Sequence, residues 1–155
     1  MKRRDCLALM GASSLLLAGC AGVPAATGTG DLGVVVARST GTLAIVNTSQ
    51  RTLLAEVKGL GDLSHASVVF SRDARHAFVF GRDGALTKVD LLTQRIAGRV
   101  MQAGNSIGGA ISADGSLVVA QNYTPGGIKA FNAETLELVA DVPAEYEPGK
   151  LARVV

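Results

Sequence analysis

Cysteine is nearly absent from this 155-residue chain, and both copies, Cys6 and Cys20, lie at the extreme amino end. No thiol follows Cys20, so the rest of the sequence holds no disulfide, no Cys-ligated zinc site and no Cys-x-x-Cys-His haem attachment. Histidine is almost as scarce, with only His65 and His76. Any metal must therefore be held by His or oxygen ligands, or arrive inside a cofactor. A basic excess is also lacking. Lys and Arg number 15 against 13 Asp and Glu, and Lys2, Arg3 and Arg4 account for most of the difference, which leaves a near-neutral remainder with no electrostatic case for nucleic acid. No apolar run reaches the ~20 residues of a membrane helix. No long stretch keeps a 3.6-residue period.

What is present begins with an address. Lys2-Arg3-Arg4 is followed by a short apolar stretch from Cys6 to Ala18 and small residues ending at Cys20, the layout of a cleaved signal peptide. Leu17-Ala18-Gly19-Cys20 resembles the lipobox of bacterial lipoproteins, so residues 1–20 are expected to be a lipoprotein signal peptide with lipid on Cys20, anchoring a periplasmic protein at the membrane. Arg3-Arg4-Asp5-Cys6-Leu7 looks like a twin-arginine export pattern but lacks the serine or threonine before the pair. An ordinary basic start for general secretion is the other reading, and both stay open.

Residues 21–30 are small and include Pro24, Thr27, Gly28 and Gly30, the composition of a flexible tether. Gly28-Thr29-Gly30-Asp31-Leu32-Gly33 spells G-x-G-x-x-G. A dinucleotide fingerprint follows a strand and opens a helix, whereas these glycines precede a strand, so they are read as linker.

From residue 31 to 155 short β-branched and apolar segments alternate with Gly, Asp, Asn and Ser clusters, which predicts an all-β domain. The segments repeat. Ser71-x-Asp73 returns as Ser112-x-Asp114, the Thr93 region returns at Thr135, and Asn47, Asp90 and Asn132 close equivalent strands over Thr42 to Val46, Leu86 to Val89 and Ile128 to Phe131. A period of about 42 residues is the length of a four-stranded β-propeller blade. The best copy predicts strands at about Ala66 to Phe70, His76 to Gly81, Ala85 to Asp90 and Arg95 to Val100. Phe78 and Phe80 then share one face and Val79 takes the other, both apolar as where sheets stack on neighbouring blades. Residues 31–155 hold about three blades of a larger ring, expected to have about eight. The final Leu151 to Val155 reads as a strand beginning.

His76 starts a second strand beside Arg75 and is expected to point outward from a blade turn. His65, in Gly61-Asp62-Leu63-Ser64-His65-Ala66, precedes an innermost strand, where propeller loops face the mouth of the channel. Its residue type alone favours a satisfied polar group over a ligand.

Together His65-Ala66-Ser67, Ser71-Arg72-Asp73-Ala74-Arg75, Gly81-Arg82-Asp83-Gly84, Asn122-Tyr123-Thr124-Pro125-Gly126-Gly127 and Glu134-Thr135-Leu136-Glu137 resemble the NirF family of haem d1 biosynthesis proteins. They are also similar to the haem d1 domain of cytochrome cd1 nitrite reductase. The resemblance implies that His65 is the axial histidine reaching the macrocycle iron, with a catalytic role as ligand or proton-transfer group. It places Arg82 near the cofactor carboxylates, and Asn122 and Tyr123 close to the ring. The residue types suit those tasks, since imidazole ligates haem iron, guanidinium forks onto carboxylate and tyrosine packs on a ring edge. Two departures stand out: the His65 to Ser71 interval is about one residue longer than in the reductase, and Gly104 to Gly109 lacks its arginine. The first implies a different approach of His65 to iron; the second, the loss of a cationic contact, fits reversible handling of a precursor or product better than permanent retention. The implied function is haem d1 maturation for nitrite reductase, with that enzyme and other maturation proteins as partners. Catalysis, as side-chain modification of the macrocycle or as oxidoreduction, is left open beside non-catalytic holding. A generic envelope propeller serving as a protein-interaction scaffold is the alternative.

Overall fold

In the computed structural model, which describes residues 28–152, the only helical element is a short 3-10 turn at Thr29–Asp31 and the other elements are strands. The first sheet holds β1 (Leu32–Ala37), β2 (Thr42–Asn47) and β3 (Thr52–Val57). The second holds β4 (Ser67–Phe70), β5 (His76–Phe80), β6 (Ala85–Asp90) and β7 (Arg95–Met101). The third holds β8 (Asn105–Ile111), β9 (Leu117–Thr124), β10 (Gly127–Asn132) and β11 (Leu138–Val142), and a small hairpin pairs β12 (Glu145–Glu147) with β13 (Lys150–Leu151). Each sheet is an antiparallel meander with strands in chain order. The chain is thus all-β and built from consecutive sheets of the propeller type.

The sequence repeat is a repeat of backbone detail. A register shift falls at Ile45/Val46, at Lys88/Val89 and at Ala130/Phe131, always where the last two strands of a sheet pair. The turn that follows carries a residue with positive φ at Arg51, Gln94 and Leu136. Bulges raise local twist, so repeating them gives each sheet the same coil. The Ser-x-Asp turns also match: Ser71 Oγ donates to Asp73 Oδ1 and Ser112 Oγ to Asp114 Oδ1, both at 2.5 Å. Ser71 Oγ in turn accepts from His76 N at 2.8 Å, and Ser112 Oγ accepts from Leu117 N at 2.9 Å. These bonds hold the Asp73 carboxyl below its usual range and that of Asp114 at about 2, the serine hydroxyl being the main cause in both.

Alternation along β5 builds two cores. Ala77 and Val79 join Leu43, Ile45, Leu60, Leu63 and Val89 between the first and second sheets. Phe78 and Phe80 join Leu86, Val118, Ala120 and Phe131 between the second and third. Every residue of β6 is buried, as expected of a strand covered on both faces. Each phenylalanine contributes roughly 1.5–3 kcal/mol by leaving water. Gly109 lets the third sheet close on them, because a Cβ there would lie 2.4 Å from Phe80 Cζ and 2.0 Å from the Val119 carbonyl.

Two details differ from the sequence expectation. The segment at residues 28–30 is not all loose linker: a 3-10 turn leads into β1, and Asp31 accepts from Thr48 N and from the Thr48 and Ser49 hydroxyls. The terminal strand begins one residue earlier than expected, at Lys150, and Lys150–Leu151 folds back on β12. Cys20, the twin-arginine segment and tether residues 21–27 lie outside the described residues.

Candidate functional site

Antiparallel meanders put alternate loops at opposite ends of the sheets. The pairings Ala37 with Thr42, Ser67 with Phe80 and Asn122 with Gly127 place turns 38–41, 81–84 and 125–126 at one end. The crossing segments 58–66 and 102–104 reach the same end. All four sequence-predicted residues, His65, Arg82, Asn122 and Tyr123, therefore gather at one mouth.

His65 and Arg82 are brought together most directly. Arg82 N donates to Asp62 O at 2.8 Å, so the turn after β5 is seated on the loop that carries His65. The Asp62 carboxyl is held below its usual range chiefly by hydrogen bonds from Ser64, and further by the charges of Arg82 and His65. Both predicted side chains are exposed. Neither makes a side-chain hydrogen bond or close ion pair among the described residues. The other two arginines at this mouth are engaged: Arg38 Nη1 donates to Ser64 O at 3.2 Å, and Arg99 binds Gly59 O and Asp83. Arg82 is thus the guanidinium at this face with none of its side-chain donors engaged among the described residues.

Asn122 and Tyr123 sit on the neighbouring sheet and do not act as a pair. Asn122 is 1% exposed, and its Oδ1 accepts from Gln102 Nε2 at 2.8 Å. It is part of a buried amide pair beneath the face. Strand alternation sends half-buried Tyr123 to the opposite side of β9. His76 lies at the far end, and here the outward-pointing expectation is corrected. Its side chain is 17% exposed, 3.9 Å from Asp90, and lines a cleft of about 280 Å³ between the second and third sheets with Phe78 and Lys88. Burial, then the charge of Lys88, pushes its pKa down against the pull of Asp90 and Asp73. Strand position predicted the turn correctly but not that the next sheet would cover it.

The residues missed from sequence are Arg38, Asp62, Arg99 and Gln102. Arg38 had a signal, for it opens the turn equivalent to the one holding Arg82, and both turns close on a positive-φ glycine, Gly41 and Gly84. Arg99 and Gln102 act on partners far apart in sequence and had none, and nothing local showed that the Asp62 carbonyl would receive Arg82 N. Among the described residues no group of three or more His, Cys, Asp or Glu is placed to hold a metal ion. No helix there is long and apolar enough to cross a membrane.

Repeated three- and four-stranded antiparallel sheets, with polar loops gathered at one end, define a propeller-type domain. Residues 27–155 match the family described as the cytochrome D1 heme domain, and the chain belongs to that family. It is similar to Protein NirF of Pseudomonas aeruginosa, 61% identical over 87% of this chain and 34% of that protein. It is 64% identical to Protein NirF of Stutzerimonas stutzeri over 90% of this chain and 36% of that one. Among solved structures, the dihydro-heme d1 dehydrogenase NirN in complex with DHE superposes with a TM-score of 0.73 at 29% identity, over 79% of this chain and 26% of that one. The chain spans about a third of the length of the curated relatives it matches.

Proposed function

We propose that the full-length protein binds haem d1 or its immediate tetrapyrrole precursor across the propeller mouth and takes part in its maturation for nitrite reductase. The observation that carries this reading is the meeting of the His65 loop and the Arg82 turn through the Arg82 N to Asp62 O bond, which leaves an exposed imidazole and an uncommitted guanidinium on adjoining segments. That donor set fits a tetrapyrrole: His65 suits the iron and Arg82 a peripheral carboxylate. Tyr123 offers a ring edge, and Asn122 shapes the floor beneath. When bound, the macrocycle supplies the redox-active metal and the carboxylates to be recognised. His65 would orient the ring or move a proton at its edge, and Arg82 would fix its rotation.

The setting follows from the same reading. Residues 1–20 direct export and lipid attaches at Cys20, residues 21–28 tether the domain, and residues 31–155 are part of a closed ring of about eight blades. The protein works in the periplasm, where nitrite reductase and other haem d1 maturation proteins are its partners. Anaerobic titration of full-length protein with precursor, followed by pigment extraction, tests the role. Changed pigment identifies an enzyme acting on macrocycle side chains or oxidation state, and unchanged pigment with a new protein-bound spectrum identifies a holder. No spectral change with either haem d1 or precursor contradicts the proposal.

A further inference from the structure

The loop bearing His65 has no strand to hold it. Between Lys58 and Ala66 its only internal backbone bond is Ala66 N to Leu63 O, at 3.1 Å. It is pinned by buried Leu60 and Leu63 and by three carbonyls, each taken by a different element. Ser64 O accepts from Arg38, Asp62 O from the backbone of Arg82, and Gly59 O from Arg99 Nη1 at 2.5 Å. Arg99, on β7, alone does two things at once. Its Nη2 lies 2.9 Å from Asp83 Oδ2, and Asp83 belongs to the Arg82 turn and caps it by accepting from Ala85 N at 3.2 Å. The loop backbone passes directly over this ion pair. A Cβ on Gly61, whose φ is +83°, would lie 2.1 Å from Asp83 Oδ2 and 2.6 Å from Arg99 Nη2.

We propose that Arg99, through Asp83, is a positioning residue that fixes the His65 loop against the Arg82 turn and so sets where the imidazole stands relative to the guanidinium. The inference rests on the reading of His65 as the tetrapyrrole-contacting residue. Arg99 and Asp83 are each more than a quarter exposed, so their mutual attraction adds little to global stability. What the pair supplies is geometry. Arg99 already faces the Asp83 carboxylate and gives one donor of each terminal nitrogen to the loop and the turn, so it is a poorer partner for a ligand carboxylate than Arg82.

The test uses full-length protein titrated with haem d1, comparing wild type with Arg99→Ala, Arg99→Lys, Asp83→Asn, His65→Ala and the Arg99→Ala/His65→Ala double variant. Arg99→Ala and Asp83→Asn are expected to shift the visible spectrum and weaken binding about tenfold, the usual scale for residues that orient a ligand. Far-UV circular dichroism should be unchanged. Arg99→Lys, which can restore one of the two contacts, should recover part of the loss. In the His65→Ala background Arg99→Ala should add nothing. An additive loss there would show that Arg99 touches the ligand itself and would overturn the proposal. Wild-type spectra and affinity in both Arg99→Ala and Asp83→Asn would overturn it as well. Should Arg99→Ala fail to fold, Arg99→Lys and Asp83→Asn carry the same comparison. Failure of wild type to bind haem d1 is a different result, which removes the binding reading and the clamp with it.

Discussion

Asp90 shows how much one side chain can do in a repeated turn. Its Oδ1 accepts from Leu92 N and Thr93 N, as Asn132 Oδ1 accepts from Glu134 N and Thr135 N, while its Oδ2 binds Arg75 at 2.8 Å. Burial raises its pKa, but the Arg75 and backbone hydrogen bonds win and hold it at about 2, below the unfolded value of 3.8. A depressed carboxylate stabilises the fold above the unfolded pKa and loses that contribution as pH falls through the folded one. Asp90→Asn keeps the turn acceptor but puts an amide NH2 where Oδ2 accepts from Arg75, so it loses the charge and the Arg75 hydrogen bonds and should cost about 1–2 kcal/mol at neutral pH. In chemical denaturation the gap to wild type should stay constant above about pH 5 and close between about pH 4 and pH 2. Asp90→Ala removes the turn acceptor too and should cost about 2–3 kcal/mol. At the other end of the sheets, His65→Ala should alter tetrapyrrole binding with no loss of β-structure, because the side chain is exposed and supports nothing.

Between elements, stability rests on sheets pressed face to face, and Gly109 is one of the tight points. Gly109→Ala should push against both the Phe80 ring and the Val119 carbonyl, costing about 1–3 kcal/mol of stability, read as a lower denaturant midpoint. A wild-type midpoint would mean the sheets can slide apart freely there. This level of the fold was largely legible in sequence. Strand β6 falls on the expected residues, β4, β5 and β7 fall within a residue or so, and Phe78, Phe80 and Val79 divide between the two cores as alternation requires. Period-two patterns, Asx turns and glycines are local, so a single sequence carries them. The inward position of His76 and the Arg99–Asp83–Gly59 junction were not legible, because each depends on which neighbouring segment arrives. For the candidate site, the residue types and their loops were readable, whereas the burial of Asn122 beneath Gln102 was not.

The whole molecule is a closure problem. The second and third sheets each begin with an inner strand, β4 or β8, but in the first sheet β1 has no partner beyond β2 among the described residues. Within a closed ring a strand from the rest of the polypeptide covers that edge, so β1 amides in full-length protein should resist hydrogen exchange for hours, and rapid exchange would contradict closure. Export is tested by Cys20→Ala, which should abolish lipid labelling and release the protein from membranes; unchanged labelling would place the lipid elsewhere. The central claim is that one mouth of the propeller presents His65 to a tetrapyrrole. It is tested most directly by the visible spectrum of full-length wild type and His65→Ala titrated anaerobically with haem d1. The account predicts a saturable new spectrum for wild type and a shifted one, with weaker binding, for the variant; identical spectra and affinities would contradict it.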